Sequence, residues 1–147
     1  MKLAQRSLLL LVIFLLVIPC SIYVFREPAE IYLRNWENVY VERFISKICK
    51  NSSVTYEDYL FFHNSLSCSG GKTEISIDEY KPEQDLNGKY YYAPVTWEEI
   101  KDELQEEKNY YFVEGSIVRI VVIRKSASEE RIIQRFGRIS ERNNSGT

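Results

Sequence analysis

The stretch LLLLVIFLLVIPCSIYVF, residues 8 to 25, divides the chain into an apolar start and a long polar remainder. It carries no charged residue, and as a helix with a rise of about 1.5 Å per residue it would be roughly 27 Å long. The hydrocarbon core of a bilayer is about 30 Å thick. The sequence therefore predicts a transmembrane helix over residues 8–25, close to the lower limit of the required length.

The charges on either side of the apolar stretch predict its orientation. Lys2 and Arg6 precede it, whereas Arg26 is followed by Glu27 and Glu30. Because an excess of basic residues marks the cytoplasmic side, we expect residues 1–7 in the cytoplasm. The chain would then cross the cytoplasmic membrane once and present residues 26–139 outside.

Three fates of this segment are consistent with export: a retained anchor, a cleaved signal peptide and a lipoprotein signal that ends at Cys20. Cleavage normally requires small residues in an Ala-x-Ala pattern, and no such pattern follows the apolar stretch. The sequence before Cys20 resembles a lipobox, but it has Pro19 where glycine, alanine or serine is usual. The retained anchor is the favoured interpretation.

The exported part has an uneven charge distribution. The whole chain of 147 residues has a net charge of −2, but residues 73–118 contain 12 acidic and 4 basic residues, and residues 119–147 contain 7 basic and 3 acidic residues. A nucleic-acid-binding domain normally concentrates basic residues on its folded face, so no nucleic-acid partner is expected. The charges can pair within one copy or support self-association, with the acidic region of one copy against the basic tail of another.

Periodicity and capping residues predict three helices after the anchor. Apolar residues recur at helical spacing over residues 29–48, with Pro28 in the first turn, which indicates an amphipathic helix that packs on the domain. Its stripe includes Leu33, Trp36, Tyr40 and Phe44. Thr55 and Asp58 form the start of a second helix over residues 56–67, and Thr96 and Glu99 form a capping box for a third that ends near Lys108.

Alternating and apolar runs predict the strands. The first two form a hairpin around a polar loop at residues 82–88, and the run at 117–124 has the apolar character of a central strand. The predicted strands are residues 73–80, 89–95, 110–113 and 117–124, with a further candidate at 132–139. The predicted fold class is α+β, ordered α-α-β-β-α-β-β with a mainly antiparallel sheet, and residues 140–147 are expected to be a disordered tail.

The sequence offers little support for catalysis, and we expect no enzyme. His63 is the only histidine, and no partner for acid–base chemistry can be identified from the sequence. The three cysteines lack a C-x-x-C spacing, so neither a metal site nor a cofactor is predicted. Cys20 lies in the apolar stretch, whereas Cys49 and Cys68 would lie outside the cytoplasm, where a disulfide between them could persist.

Eleven tyrosines provide the clearest candidate for a binding surface. Tyr90, Tyr91 and Tyr92 fall in one predicted strand, where alternate side chains face opposite ways. One side would pack on the core, and the other would expose amphipathic rings of the kind enriched at protein interfaces. The three tyrosines are the candidate interface, while ordinary strand-forming residues are the simpler alternative.

The pattern from SSVTYEDYLFFHNSLSCSGGKTEISIDEYKP to YYFVEGSIVRIVVI resembles small membrane-anchored proteins of Tad-type pilus systems in Gram-positive bacteria. The shared frame is a threonine-capped helix rich in aromatic residues, a glycine, an alternating strand and a late strand after a second glycine. The matching positions are Thr55, Asp58, Tyr59, Phe62, Leu66, Gly70, Ile75, Ile77, Gly115, Val118 and Ile120. Ser116 departs from the aspartate of that frame, and the apolar stretch lacks the glutamate-containing prepilin processing motif.

The resemblance implies a minor pilin-like or accessory role, with pilus or secretion-system proteins as partners and no active site. The first hypothesis is thus a non-enzymatic, membrane-anchored interaction protein. The alternative is a cell-envelope sensor or ligand-binding module, which should have a concave pocket near the aromatic strands. An envelope hydrolase is a third class, for which the sequence supplies no recognisable catalytic group.

Overall fold

The computed structural model describes residues 2–68, 70–126 and 129–140, with the side chains of residues 2–5 and 25–28 excepted. The chain divides into two compact units, residues 1–36 and residues 37–147. The elements are, in chain order, α1 (Lys2–Asn51), β1 (Ser53–Thr55), α2 (Tyr56–Ser67), β2 (Lys72–Gln84), β3 (Tyr90–Val95), α3 (Trp97–Glu107), β4 (Asn109–Tyr111), β5 (Ile117–Lys125) and β6 (Glu130–Arg138). This mixed helix and sheet content agrees with the predicted α+β class.

The first unit is the N-terminal part of α1, and it contains the apolar stretch. Within the part of the chain that the structure describes, this helix alone is long and apolar enough to cross a membrane, as judged by length and composition. Its most apolar window of 18 residues has a mean hydropathy of 3.0 and contains no buried residue. The hydroxyl of Ser21 donates to the carbonyl of Val17 at 2.7 Å, so this polar group is satisfied inside the helix.

The two predicted helices at residues 8–25 and 29–48 are one helix in the structure, which corrects the predicted boundary at Pro28. A proline inside a helix removes one backbone donor, and the flanking hydrogen bonds can maintain the helix around it. The predicted packing stripe is also shorter than expected, because Trp36 is 42% exposed. In the second unit, the buried residues of α1 are Glu37, Val41, Phe44, Ile45 and Ile48.

The second unit is built on a four-stranded antiparallel sheet with the strand order β3-β2-β5-β6. Strand β5 is central, as predicted, and its alternate residues are buried. The buried side chains of the sheet, among them Ile77, Ile120 and Val122, share the core with residues of α1, α2 and α3. Strands β1 and β4 form a separate antiparallel pair in which Val54 lies opposite Tyr110. The sequence did not predict β1, which has only three residues.

Local capping signals place the shorter helices as predicted. The side chain of Thr55 accepts from the backbone N–H of Asp58 at 3.0 Å, and α2 begins directly after it. The backbone N–H of Thr96 donates to the carboxylate of Glu99 at 3.1 Å, which completes the capping box at the start of α3. Each pair satisfies N–H groups that have no partner within a helix.

The β2–β3 hairpin is longer than the sequence predicted. Pro82 pairs with Tyr92 and Gln84 pairs with Tyr90, so the predicted loop at residues 82–88 is strand in its first half. The carboxylate of Asp85 accepts from the backbone N–H groups of residues 87 and 89, both at 2.8 Å, which closes the turn. The predicted disordered tail at 140–147 lies outside the described residues from position 141 onward.

Candidate functional site

The tyrosines of the candidate interface lie on a hairpin arm, which we define as residues 81–93. Strand β5 pairs with β2 only as far as Tyr80, so beyond that position β2 and β3 pair only with each other in the described chain. Tyr90, Tyr91 and Tyr92 are 75%, 48% and 46% exposed. The expectation that alternate tyrosines pack on the core is therefore wrong, because the core ends before the arm begins.

One side chain of the arm is held by a specific contact. The phenol of Tyr91 donates to the carboxylate of Glu83 at 2.7 Å across the two strands. This hydrogen bond to an anion raises the pKa of Tyr91 above its ordinary value. The arm thus presents aromatic rings outside the core, with Leu86 fully exposed at its turn.

A groove, the second candidate site, lies along the outer edge of β2. Its cavity of about 370 Å³ is lined by α2 and α3 on one side and by residues of β2 and β5 on the other. The lining residues include Tyr59, His63, Thr73, Trp97 and Lys101. The rings of Tyr59 and Trp97 lie 4.9 Å apart, and burial raises the pKa of Tyr59. His63, for which the sequence offered no catalytic partner, lies in this groove with its ring 6.1 Å from that of Tyr59.

A buried charge cluster connects α1 to the sheet within the second unit. Glu37 is fully buried, and its Oε1 accepts from Nη1 of Arg124 at 2.6 Å. Nη1 of Arg131 lies 3.2 Å from the other carboxylate oxygen, close enough for an ion pair, although the geometry of a hydrogen bond is not met. Arg124 also donates to the carbonyls of Leu66 and Gly70. We assign this cluster a structural role, because Glu37 and Arg124 are buried and paired with each other, while the partly exposed Arg131 lies beside them.

A second buried carboxylate, Glu79, lies in β2. It accepts from the phenol of Tyr110 at 2.6 Å, the backbone N–H of Val113 at 2.7 Å and the hydroxyl of Ser116 at 2.7 Å. Burial, and then the hydrogen bond to Glu79, raise the pKa of Tyr110 strongly. Three donors, one in β4 and two in the segment that follows it, satisfy this fully buried carboxylate and fix that segment to the sheet.

The cysteines occupy three different environments and are free thiols in the structure. Cys49 is partly buried against the core, and burial raises its pKa. A Cβ placed on Gly137 would lie 2.4 Å from the sulfur of Cys49, which shows how closely α1 approaches β6. Cys68 is exposed. The structure thus gives no support to a Cys49–Cys68 disulfide, which stays a prediction.

Within the described residues, no group of three or more histidine, cysteine, aspartate or glutamate side chains is arranged to hold a metal ion. The chain matches no protein-family model, and no curated protein or solved structure matches it significantly. The resemblance to Tad-type pilus proteins is therefore a hypothesis that rests on the sequence pattern alone.

Proposed function

We propose that this chain is a single-pass membrane protein that presents its second unit outside a bacterial cell and acts there through protein contacts. The observation that carries the proposal is the apolar part of α1, whose most apolar window is unburied along its whole length. Exposing this predominantly apolar stretch of eighteen residues to water would be strongly unfavourable, whereas the hydrocarbon core of a bilayer accommodates the same surface.

The charge flanks support the outward orientation. Arg6 precedes the apolar stretch, and acidic residues such as Glu30 follow it. Basic residues that flank a membrane-spanning segment are found preferentially on the cytoplasmic side. Protease treatment of intact cells should therefore degrade the second unit, while a cytoplasmic marker protein remains whole. Protection of the second unit until the cells are lysed would contradict the orientation.

Within that setting, we infer a minor pilin-like or accessory role in a pilus or secretion assembly. The exposed tyrosines of the hairpin arm support a role in protein contacts, because tyrosine supplies large contact area at low entropic cost. A photo-crosslinking residue at Tyr90 should join the chain to pilus components or to further copies in intact cells. The same residue at Glu42, an exposed position on α1, is the matched control and should give no such product.

The alternative is a cell-envelope sensor or ligand-binding module, and one observation favours it. The groove beside β2 is concave and is lined by aromatic side chains together with His63, Glu74 and Lys101. This alternative predicts a monomeric protein whose arm gives no crosslinks at native expression. Genes for a prepilin peptidase and a secretion ATPase beside this gene would favour the pilus role, and their consistent absence from related genomes would argue against it.

A further inference from the structure

Strand β2 has an incomplete outer edge. Strand β5 pairs with residues 72–80 of β2, but β3 pairs on the other side only with residues 79–84. Residues 72–78 therefore have a neighbouring strand on one side only, as far as the described chain extends. In an antiparallel pair, alternate residues direct their N–H and C=O groups away from the partner strand. These backbone groups face the groove, and such a row is a template for another strand.

A buried hydroxyl in the groove also lacks a partner. Thr73 is only 8% exposed, and its Oγ1 forms no hydrogen bond with any described residue. Buried polar side chains are nearly always hydrogen-bonded in folded proteins, and each exception calls for an explanation. Because Thr73 lines the groove at the unpaired edge, a polar group of a bound molecule would satisfy it.

The charged side chains that line the groove are Glu74 and Lys101. Glu74 pairs with Lys72 at 2.9 Å and lies 3.6 Å from Lys125, and these interactions lower its pKa. Asp78 is paired with Arg119 at 2.5 Å. Lys101 lines the groove but forms no ion pair with a described residue. Of the two charged side chains that line the groove, the one without an ion pair to a described residue is therefore basic, and this favours an acidic occupant.

We propose that an extended, acidic segment of a partner protein adds to β2 as a fifth strand of the sheet. Its backbone would pair with residues 73–78, a length of about 20 Å for six residues. Side chains on one face of the added strand lie against Tyr59 and Trp97 with a carboxylate near Lys101, and those on the other face lie beside Val121. The acidic extended segment specifies the chemistry of the partner in the proposed interaction role, and the inference rests on that role.

The test uses the full chain in detergent micelles and a seven-residue peptide that alternates valine with glutamate. Hydrogen exchange should show that the outward amides of residues 73–78 exchange quickly alone and are slowed about tenfold or more by the peptide. The amides of β6, the other edge of the sheet, should be unchanged. A peptide of the same composition with proline at two central positions is the control, because it cannot complete the ladder of hydrogen bonds.

Charge reversal tests the orientation of the carboxylates. Lys101→Glu should weaken binding of the glutamate peptide by about fivefold or more, while Lys89→Glu in the hairpin turn makes the same change in net charge and should have no effect. Three results would overturn the proposal: no protection of residues 73–78, equal binding of the proline peptide, or equal effects of the two substitutions. This assay contains no membrane, so its failure would contradict the added strand but not the proposed topology. Protection of the second unit from protease in intact cells would contradict the topology but not the binding of a strand in the groove.

Discussion

Replacing Glu37 with glutamine, which exchanges one carboxylate oxygen for an NH₂ group, should destabilise the second unit more than the same exchange elsewhere in α1. The substitution preserves the shape of the side chain but removes a charge that is fully buried and contacts two arginines. A hydrogen bond to a charged group contributes about 1.5–3 kcal/mol, and breaking a buried ion pair costs about 3–5 kcal/mol. The amide oxygen can still accept one bond from Arg124, so we expect a loss of about 2–4 kcal/mol.

The assay is urea unfolding of the full chain in a urea-compatible detergent, followed by the fluorescence of Trp97 in a Trp36→Phe background. With a urea dependence of about 1–3 kcal/mol per molar, a loss of 3 kcal/mol lowers the midpoint by about 1–3 M. Glu42→Gln is the matched control, because Glu42 lies on the same helix and is exposed. It should change the free energy of unfolding by less than about 0.5 kcal/mol.

A third variant separates the contributions of the two arginines to stability. Arg131→Gln removes the partner that is 3.2 Å from Glu37 and more exposed, so its cost should be smaller than that of Glu37→Gln. If Glu37→Gln and Glu42→Gln unfold at the same midpoint, the buried cluster does not hold α1 to the sheet and the reasoning fails.

Three further predictions concern the second unit. Gly137→Ala should cost about 1–3 kcal/mol of stability in the urea assay, because its Cβ would overlap the sulfur of Cys49. Adding Cys49→Ala should restore part of the loss, and equal losses in the single and double variants would contradict this packing. Tyr110→Phe should cost about 1–2 kcal/mol at neutral pH by removing a donor to Glu79. The fold raises the pKa of Tyr110, so its phenol stabilises the native state below the unfolded pKa of about 10 and loses that contribution as the pH rises further. The free energy of unfolding of the Phe variant should therefore depend less on pH above about 10 than that of the unmodified chain. Parallel pH profiles of the two proteins would refute the assignment. Maleimide should modify Cys68 well before Cys49, since burial raises the pKa of Cys49 and the thiolate is the reactive form; equal rates by mass spectrometry would contradict the packing.

The parts of the fold that were predictable are those with local causes. Helices α2 and α3 begin where Thr55 and Thr96 cap them, and each cap involves a residue only three positions along the chain. Central strand β5 was recognisable from its apolar run, although in the structure only its alternate residues are buried.

The rest depends on contacts between distant residues. Glu37 meets Arg124 across 87 positions, and neither residue has a local signal for this pairing. The hairpin arm was misjudged because the sequence does not show that β5 stops pairing with β2 at Tyr80. The groove was missed for a related reason: an unpaired edge becomes visible only when the lengths of β2 and β3 are compared in register.

One feature of the groove could have been suspected from the sequence. Trp97 follows the cap of α3, and Lys101 lies four residues later on the same helical face. An aromatic and a basic residue on one face are compatible with a binding surface. The sequence does not reveal that this face lies beside an open strand edge, because that requires the tertiary arrangement of α3 against β2.

The most direct test of the central claim is the side of the membrane on which Cys68 lies. In a chain with Cys20→Ala and Cys49→Ala, Cys68 is the sole thiol and is exposed. A membrane-impermeant maleimide should label it in intact cells, whereas a cysteine-free chain carrying Lys2→Cys should be labelled only after the membrane is opened. Labelling of position 2 in intact cells, with Cys68 protected until lysis, would contradict the proposed topology.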